Sequence, residues 1–105
     1  MKVVGFNGSP RKKGNTQILL TKVFAELEQE GIETELIQLG GKKIKGCSSC
    51  YKCFQNLDKR CSMDNDVLNG YLEKMLEADG ILLGSPVYFS NMTAELKALI
   101  DRAGL

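Results

Sequence analysis

The sequence predicts an α/β fold on a parallel sheet, and three observations carry that prediction. Strand-like and helix-like segments alternate along the chain. Ile81-Leu82-Leu83-Gly84 is wholly apolar, as strands covered on both faces are. The first and third strand segments each run into a breaker-rich loop that leads to a helix. At 105 residues the chain holds one domain, 1–105, with room for one core.

Lys2 to Phe6 is a short apolar run closed by Asn7-Gly8-Ser9-Pro10, which reads as a buried strand and a loop. From Asn15 or Thr16 to Glu30 the apolar positions Leu19, Leu20, Val23, Phe24 and Leu27 follow helical spacing. Asn15 or Thr16 supplies an N-cap oxygen, and Gly31 stands where a left-handed C-cap is wanted. Ile32 to Leu39 follows as a strand whose charges, Glu33 and Glu35, suit an edge. The stretch 40–63 is irregular. Asp64-Asn65-Asp66 then caps a second helix with Val67, Leu68, Tyr71, Leu72, Met75 and Leu76 on its buried face, and a third begins near Thr93. Three strands in the order 2-1-3 leave an apolar strand at an edge. The expectation is therefore a missing C-terminal half, a partner subunit, or both, and an assembly larger than a monomer.

Composition narrows the chemistry. A net charge of +1 gives no global attraction to nucleic acid, and no run of about 18 apolar residues exists to cross a membrane. The first residues lack a secretory pattern, which points to the cytoplasm, where thiols stay reduced. With no histidine, Ser-His-Asp triads and His-ligated zinc are excluded within this chain. The acidic residues read as caps and solvated faces, so no catalytic acid or base is assigned. A redox cofactor suits such a chain, because the reactive atoms then belong to the cofactor.

Two loops and a cysteine cluster carry the candidate chemistry. Gly8 to Gln17 links a strand to a helix N-terminus, whose unpaired amides and positive dipole end favour a phosphate; Ser9, Arg11, Asn15 and Thr16 add donors and charge. It is neither a Walker A loop nor a dinucleotide fingerprint, because the glycine spacing fails both and Asn15 stands where the former needs lysine. In the order 2-1-3 the loop Ser85 to Asn91 lies beside it, and Tyr88 and Phe89 offer aromatic faces to a flat heterocycle. All four cysteines, Cys47, Cys50, Cys53 and Cys61, fall in one segment, 46–63, at the spacing C-x2-C-x2-C-x7-C.

Taken together, G-S-P-R-x-x-G-N-T, the cysteine segment with Asp64-Asn65-Asp66, and S-P-V-Y-F-x-N-M-T-A-x-L-K-A-x-I-D-R resemble the NAD(P)H-dependent FMN reductase family, within it the iron–sulfur flavoprotein branch. The resemblance covers essentially the whole chain. It implies a flavodoxin-like three-layer α/β/α domain lacking its C-terminal strands. It also implies that Ser9, Arg11, Gly14, Asn15, Thr16 and Gln17 hold the FMN phosphate, while Pro86, Val87, Tyr88, Phe89 and Asn91 border the isoalloxazine ring. Ser90 departs from the family, in which glycine is common at that position. The four cysteines would bind a [4Fe-4S] cluster.

Three states compete for those thiols on chemistry alone. Two successive C-x-x-C steps suit a cluster corner; zinc prefers two separated knuckles, whereas Cys50 would be shared here; free thiols need no partner. The expected function is FMN-dependent oxidoreduction with NAD(P)H as donor and a small-molecule redox substrate or ferredoxin-like carrier as partner. The alternative is a truncated, non-catalytic binding or oligomerisation module.

Overall fold

The computed structural model describes residues 1–104. The elements run β1 (Lys2–Asn7), α1 (Asn15–Gln29), β2 (Glu33–Gln38), α2 (Lys52–Asn56), α3 (Leu68–Glu77), β3 (Gly80–Gly84) and α4 (Ala94–Ala103). All strand pairings are parallel and the order is β2-β1-β3. The fold class and sheet order are those the sequence predicts.

Alternation along β1 divides its two faces. Val4 and Phe6 are wholly buried and join Ile37, Leu39, Leu68, Leu72, Leu96 and Leu99 in the core, so α3 and α4 cover that face. Gly5 points the other way. A Cβ there would lie 2.6 Å from the Phe24 ring, so the absence of a side chain is what lets α1 lie against the sheet. The edge strand β2 is protected by charge: Glu35 takes Lys74 at 2.7 Å and Lys2 at 3.3 Å. The Lys74 ammonium, ahead of Lys2, holds the Glu35 carboxyl below its ordinary range.

Several local expectations are corrected. Neither Asn15 nor Thr16 caps α1; Gly14 is the N-cap and no side chain serves as one. Gly31 does adopt a positive φ of 77°, ending the helix region as glycine allows. Helix α3 has Val67 at its N-cap, although Asp66 Oδ1 still accepts the Leu68 amide at 3.2 Å. The stretch 40–63 is not wholly irregular, since α2 forms within it. Leu76, predicted on a buried face, is exposed, as are Leu19 and Val23 of the helically spaced apolar positions in α1 and Ile81 and Leu83 of the edge strand β3. No helix among the described residues is long and apolar enough to cross a membrane. Helix α4 closes at Gly104, and Leu105 lies outside the described residues.

Candidate functional site

The loop after β1 is anchored on both sides. Gly8 donates to the Gly84 carbonyl at 2.8 Å, and Leu39 and Gly40 both donate to the Asn7 carbonyl at 2.9 and 3.0 Å. A side-chain network completes the frame. Asn7 is wholly buried; its Oδ1 accepts the Ser9 amide at 2.9 Å and its Nδ2 donates to Gln38 Oε1 at 3.0 Å. Gln38 Nε2 in turn donates to the carbonyls of Ser9 at 2.8 Å and Gly40 at 3.1 Å. Asn7 and Gln38 are register partners at the carboxyl ends of β1 and β2, so two amides extend the ladder where the backbone pairing stops.

The conformation thus held presents α1 end-on. Gly14 caps without a side chain, and the first intrahelical bond is Ile18 N–H to the Gly14 carbonyl at 3.1 Å. The amides of the first turn therefore have no intrahelical acceptor, and the first turn carries no acidic residue to repel an anion. Ser9 Oγ accepts the Arg11 amide at 3.1 Å, which leaves its hydroxyl proton free to donate outward.

The loop after β3 comes to the same rim. Tyr88 and Asn91 exchange both backbone bonds, 2.7 and 3.1 Å, around a two-residue turn in which Phe89 and Ser90 have φ of 44° and 63°. Both values are left-handed, the mirror-image hairpin geometry that favours glycine, so Ser90 holds a glycine-like conformation. Ser85 Oγ accepts the Thr93 amide at 3.0 Å, and Thr93 caps α4 through the Leu96 amide. Ser9, Arg11, Gly14, Asn15, Thr16, Pro86 and Tyr88 line one hollow of about 250 Å³. Of the remaining predicted residues, Gln17 turns along α1 to donate to Thr21 Oγ1 at 3.0 Å. The Val87 and Phe89 side chains face solvent, and Asn91 Oδ1 accepts the Met92 amide.

The cysteine segment is built differently. Ser49, Tyr51, Leu57 and Lys59 all have positive φ, between 49° and 60°, around the short helix α2. Left-handed geometry costs each such residue on the order of 1 kcal/mol. Cys61 is the firm end: Asn69 Oδ1 accepts its amide at 2.8 Å and Asn69 Nδ2 donates to its carbonyl at 2.9 Å. The four thiols line one hollow with Ser62, Met63 and Arg102. The Ser62 hydroxyl, 3.3 Å away, and then the Lys52 amide pull the Cys50 thiol down to about 7. Among the described residues no three His, Cys, Asp or Glu side chains converge closely enough to hold a single metal ion. The four cysteines share the lining of that hollow with Arg102, an all-sulfur donor set whose chemistry suits a sulfur-ligated group.

Comparison with known proteins decides the family. The model of the NADPH-dependent FMN reductase family matches residues 1–105. The chain belongs to that family. Among its relatives, an iron-sulfur flavoprotein of Methanocaldococcus jannaschii is 47% identical over 98% of this chain and 52% of its own length. An iron-sulfur flavoprotein of Archaeoglobus fulgidus is 43% identical over 98% of this chain and 49% of its own. The chain thus spans about half the length of the curated relatives it matches. The same fold recurs in the crystal structure of RosB with bound 8-demethyl-8-formylriboflavin-5'-phosphate, at a TM-score of 0.77 and 25% identity, covering all of this chain and 42% of that one.

The two relatives are flavoproteins by name, and the lining of the hollow suits a phosphate group. It combines an uncapped helix end, a cationic side chain and a hydroxyl donor, with an aromatic loop one strand away. Every residue lining this hollow is among those the sequence singles out, whereas Asn7, Gln38 and Gly40, which frame the loop, are not. The available signal was two amides, Asn7 and Gln38, ending adjacent strands.

Proposed function

We propose that this chain forms the FMN-holding part of an FMN-dependent oxidoreductase that uses NAD(P)H, and that its cysteine segment holds a [4Fe-4S] cluster. The observation that carries the reading is the shared hollow, where the loops after β1 and β3 meet at the carboxyl ends of neighbouring strands. In this role the first-turn amides of α1, the Ser9 hydroxyl and the Arg11 guanidinium bind the phosphate. The Asn7–Gln38 network fixes the loop in its binding shape before the ligand arrives. Pro86 and Tyr88 orient the ring along the rim, and the rigid turn at Phe89–Ser90 sets the distance of that wall. Bound FMN supplies hydride and one-electron chemistry, and a cluster supplies one-electron chemistry alone. The electron partner is a small redox molecule or a ferredoxin-like carrier.

An exposed apolar surface favours a second role beside this one. Leu19 and Val23 of α1 and Leu83 of β3 line a hollow of about 370 Å³ beside the open edge of the sheet. Covering it by self-association would make the chain an oligomerising module as well.

An oxygen-free visible spectrum of the purified protein tests the main reading. Flavin bands with a broad additional iron–sulfur absorption are expected. Protein that neither carries nor binds FMN on titration would reject it.

A further inference from the structure

Among the described residues Arg102 is the most deeply placed charge. Its side chain is 0% exposed and its partner Asp66 only 3% exposed. Two of its nitrogens have partners: Nη1 donates to Asp66 Oδ2 and to the Lys45 carbonyl at 3.0 Å, and Nη2 donates to the Met63 carbonyl at 2.7 Å. Lys45 lies just before Cys47 and Met63 just after Cys61. One guanidinium on α4 therefore clasps both ends of the cysteine segment. Asp66 reinforces the clasp by accepting the Lys45 amide at 2.9 Å and the Leu68 amide at 3.2 Å.

The third nitrogen is left over. Nε of Arg102 is buried and has no hydrogen-bond partner among the described residues. A buried donor without a partner costs about 1–3 kcal/mol, more when charged, and the Cys61 thiol is the further group this guanidinium meets. The guanidinium stands beside the Cys61 thiol and forms part of the wall of the hollow that all four thiols line. The segment's own arginine does not compete for this place, since Arg60 pairs with Glu73 and Asp64 on the surface.

We infer that Arg102 is a positioning residue for the sulfur-ligated group of the cysteine segment: it closes the segment's two ends onto α4 and reserves its Nε–H for a sulfur of that group. The inference rests on the proposed role of the cysteines and adds to it a determinant of retention and potential. Hydrogen bonds and positive charge at cluster sulfurs stabilise the more negative, reduced form, so the N–H raises the reduction potential.

The test compares wild type with Arg102→Lys, both reconstituted anaerobically with ferrous iron and sulfide. Lysine keeps a cation for Asp66 but has neither the fork nor Nε. Iron release to a chelator and the midpoint potential by mediated titration are read, with FMN binding and circular dichroism as checks on the fold. Expected are release about 10-fold faster and a more negative midpoint in the variant. Equal release and an equal midpoint would overturn the role of Arg102 while leaving the cluster in place. Wild type that binds FMN yet takes up no iron would overturn the cysteine reading itself, and this inference with it. Should Arg102→Lys fail to fold, the wild-type guanidinium answers in its place. Protein labelled with ¹⁵N-arginine in an Arg60→Lys background should show a weak nitrogen coupling to the reduced cluster in pulsed electron paramagnetic resonance. Absence of that coupling would also overturn the assignment.

Discussion

Gly40→Ala should weaken flavin binding although Gly40 does not itself line the proposed ligand site. A Cβ built at Gly40 lies 1.9 Å from the Ser9 carbonyl oxygen, 2.3 Å from its carbon and 2.7 Å from the Pro10 nitrogen. These are backbone atoms, so no side chain can swing aside. The loop must retreat by roughly 1.5 Å to reach the ~3.5 Å of ordinary contact. That movement pulls the Ser9 carbonyl from Gln38 Nε2, now 2.8 Å away, and displaces the Ser9 hydroxyl from the hollow. Overpacking of this kind costs about 1–3 kcal/mol. If binding forces the retreated loop back to its original position, the same amount opposes binding, a rise in Kd of roughly 5- to 150-fold. Quenching of FMN fluorescence on titration measures it. Gly70→Ala is the control: nothing lies within 4 Å of its Cβ, so affinity should stay constant while the helix gains up to about 1 kcal/mol. Gly40→Ala protein that folds and binds FMN as wild type does would refute the claim that this loop geometry is what holds the phosphate.

Other perturbations have equally definite outcomes. Asn7→Ala strips the Ser9 amide of its acceptor and Gln38 Oε1 of its donor inside the protein, so urea unfolding should show a loss of about 1–3 kcal/mol together with weaker FMN binding. Asp66→Asn leaves Arg102 buried without its counter-ion and should cost about 3–5 kcal/mol at neutral pH. Burial pushes the Asp66 carboxyl up, but the Arg102 guanidinium and the Lys45 and Leu68 amides outweigh it and hold its value low. The pair's stabilisation is therefore complete above the unfolded carboxylate value of about 3.9 and fades as pH falls through the lower folded value. Wild type and Asp66→Asn should accordingly converge in stability in acid; a constant gap from pH 7 to pH 2 would contradict the assignment. Leu83→Lys puts a charge on the exposed edge strand and should shift sedimentation from a larger species towards the monomer; a monomeric wild type would remove the self-association proposal.

The architecture was legible because its main elements have local causes: a short apolar run closed by a breaker cluster in β1, helical spacing in α1 and α3, and Thr93 capping α4. The pairing of the two loops followed from topology, since strand order alone puts the ends of β1 and β3 side by side. What escaped was set by contacts distant in sequence. Asn7 and Gln38 are 31 residues apart, and neither reads as more than a strand terminus until register brings them together. The requirement for glycine at position 40 lies in the Ser9 backbone, not in a positive φ of its own, so no turn signature announces it. Leu19 and Val23 satisfy helical spacing yet are exposed, because periodicity names an apolar face without saying that anything covers it. Helix α2 was hidden by its flanks, Tyr51 and Leu57, which adopt left-handed geometry that neither side chain favours.

The claim beneath these predictions is that a phosphate sits at the uncapped end of α1, within reach of Ser9 and Arg11. Parallel fluorescence titrations with FMN and with riboflavin, which lacks only the phosphate, test it most directly. Binding of FMN at least ~10-fold tighter than riboflavin is predicted, with the difference largely abolished in Arg11→Ala protein. Equal affinity for the two flavins, or a preference untouched by Arg11→Ala, would contradict it.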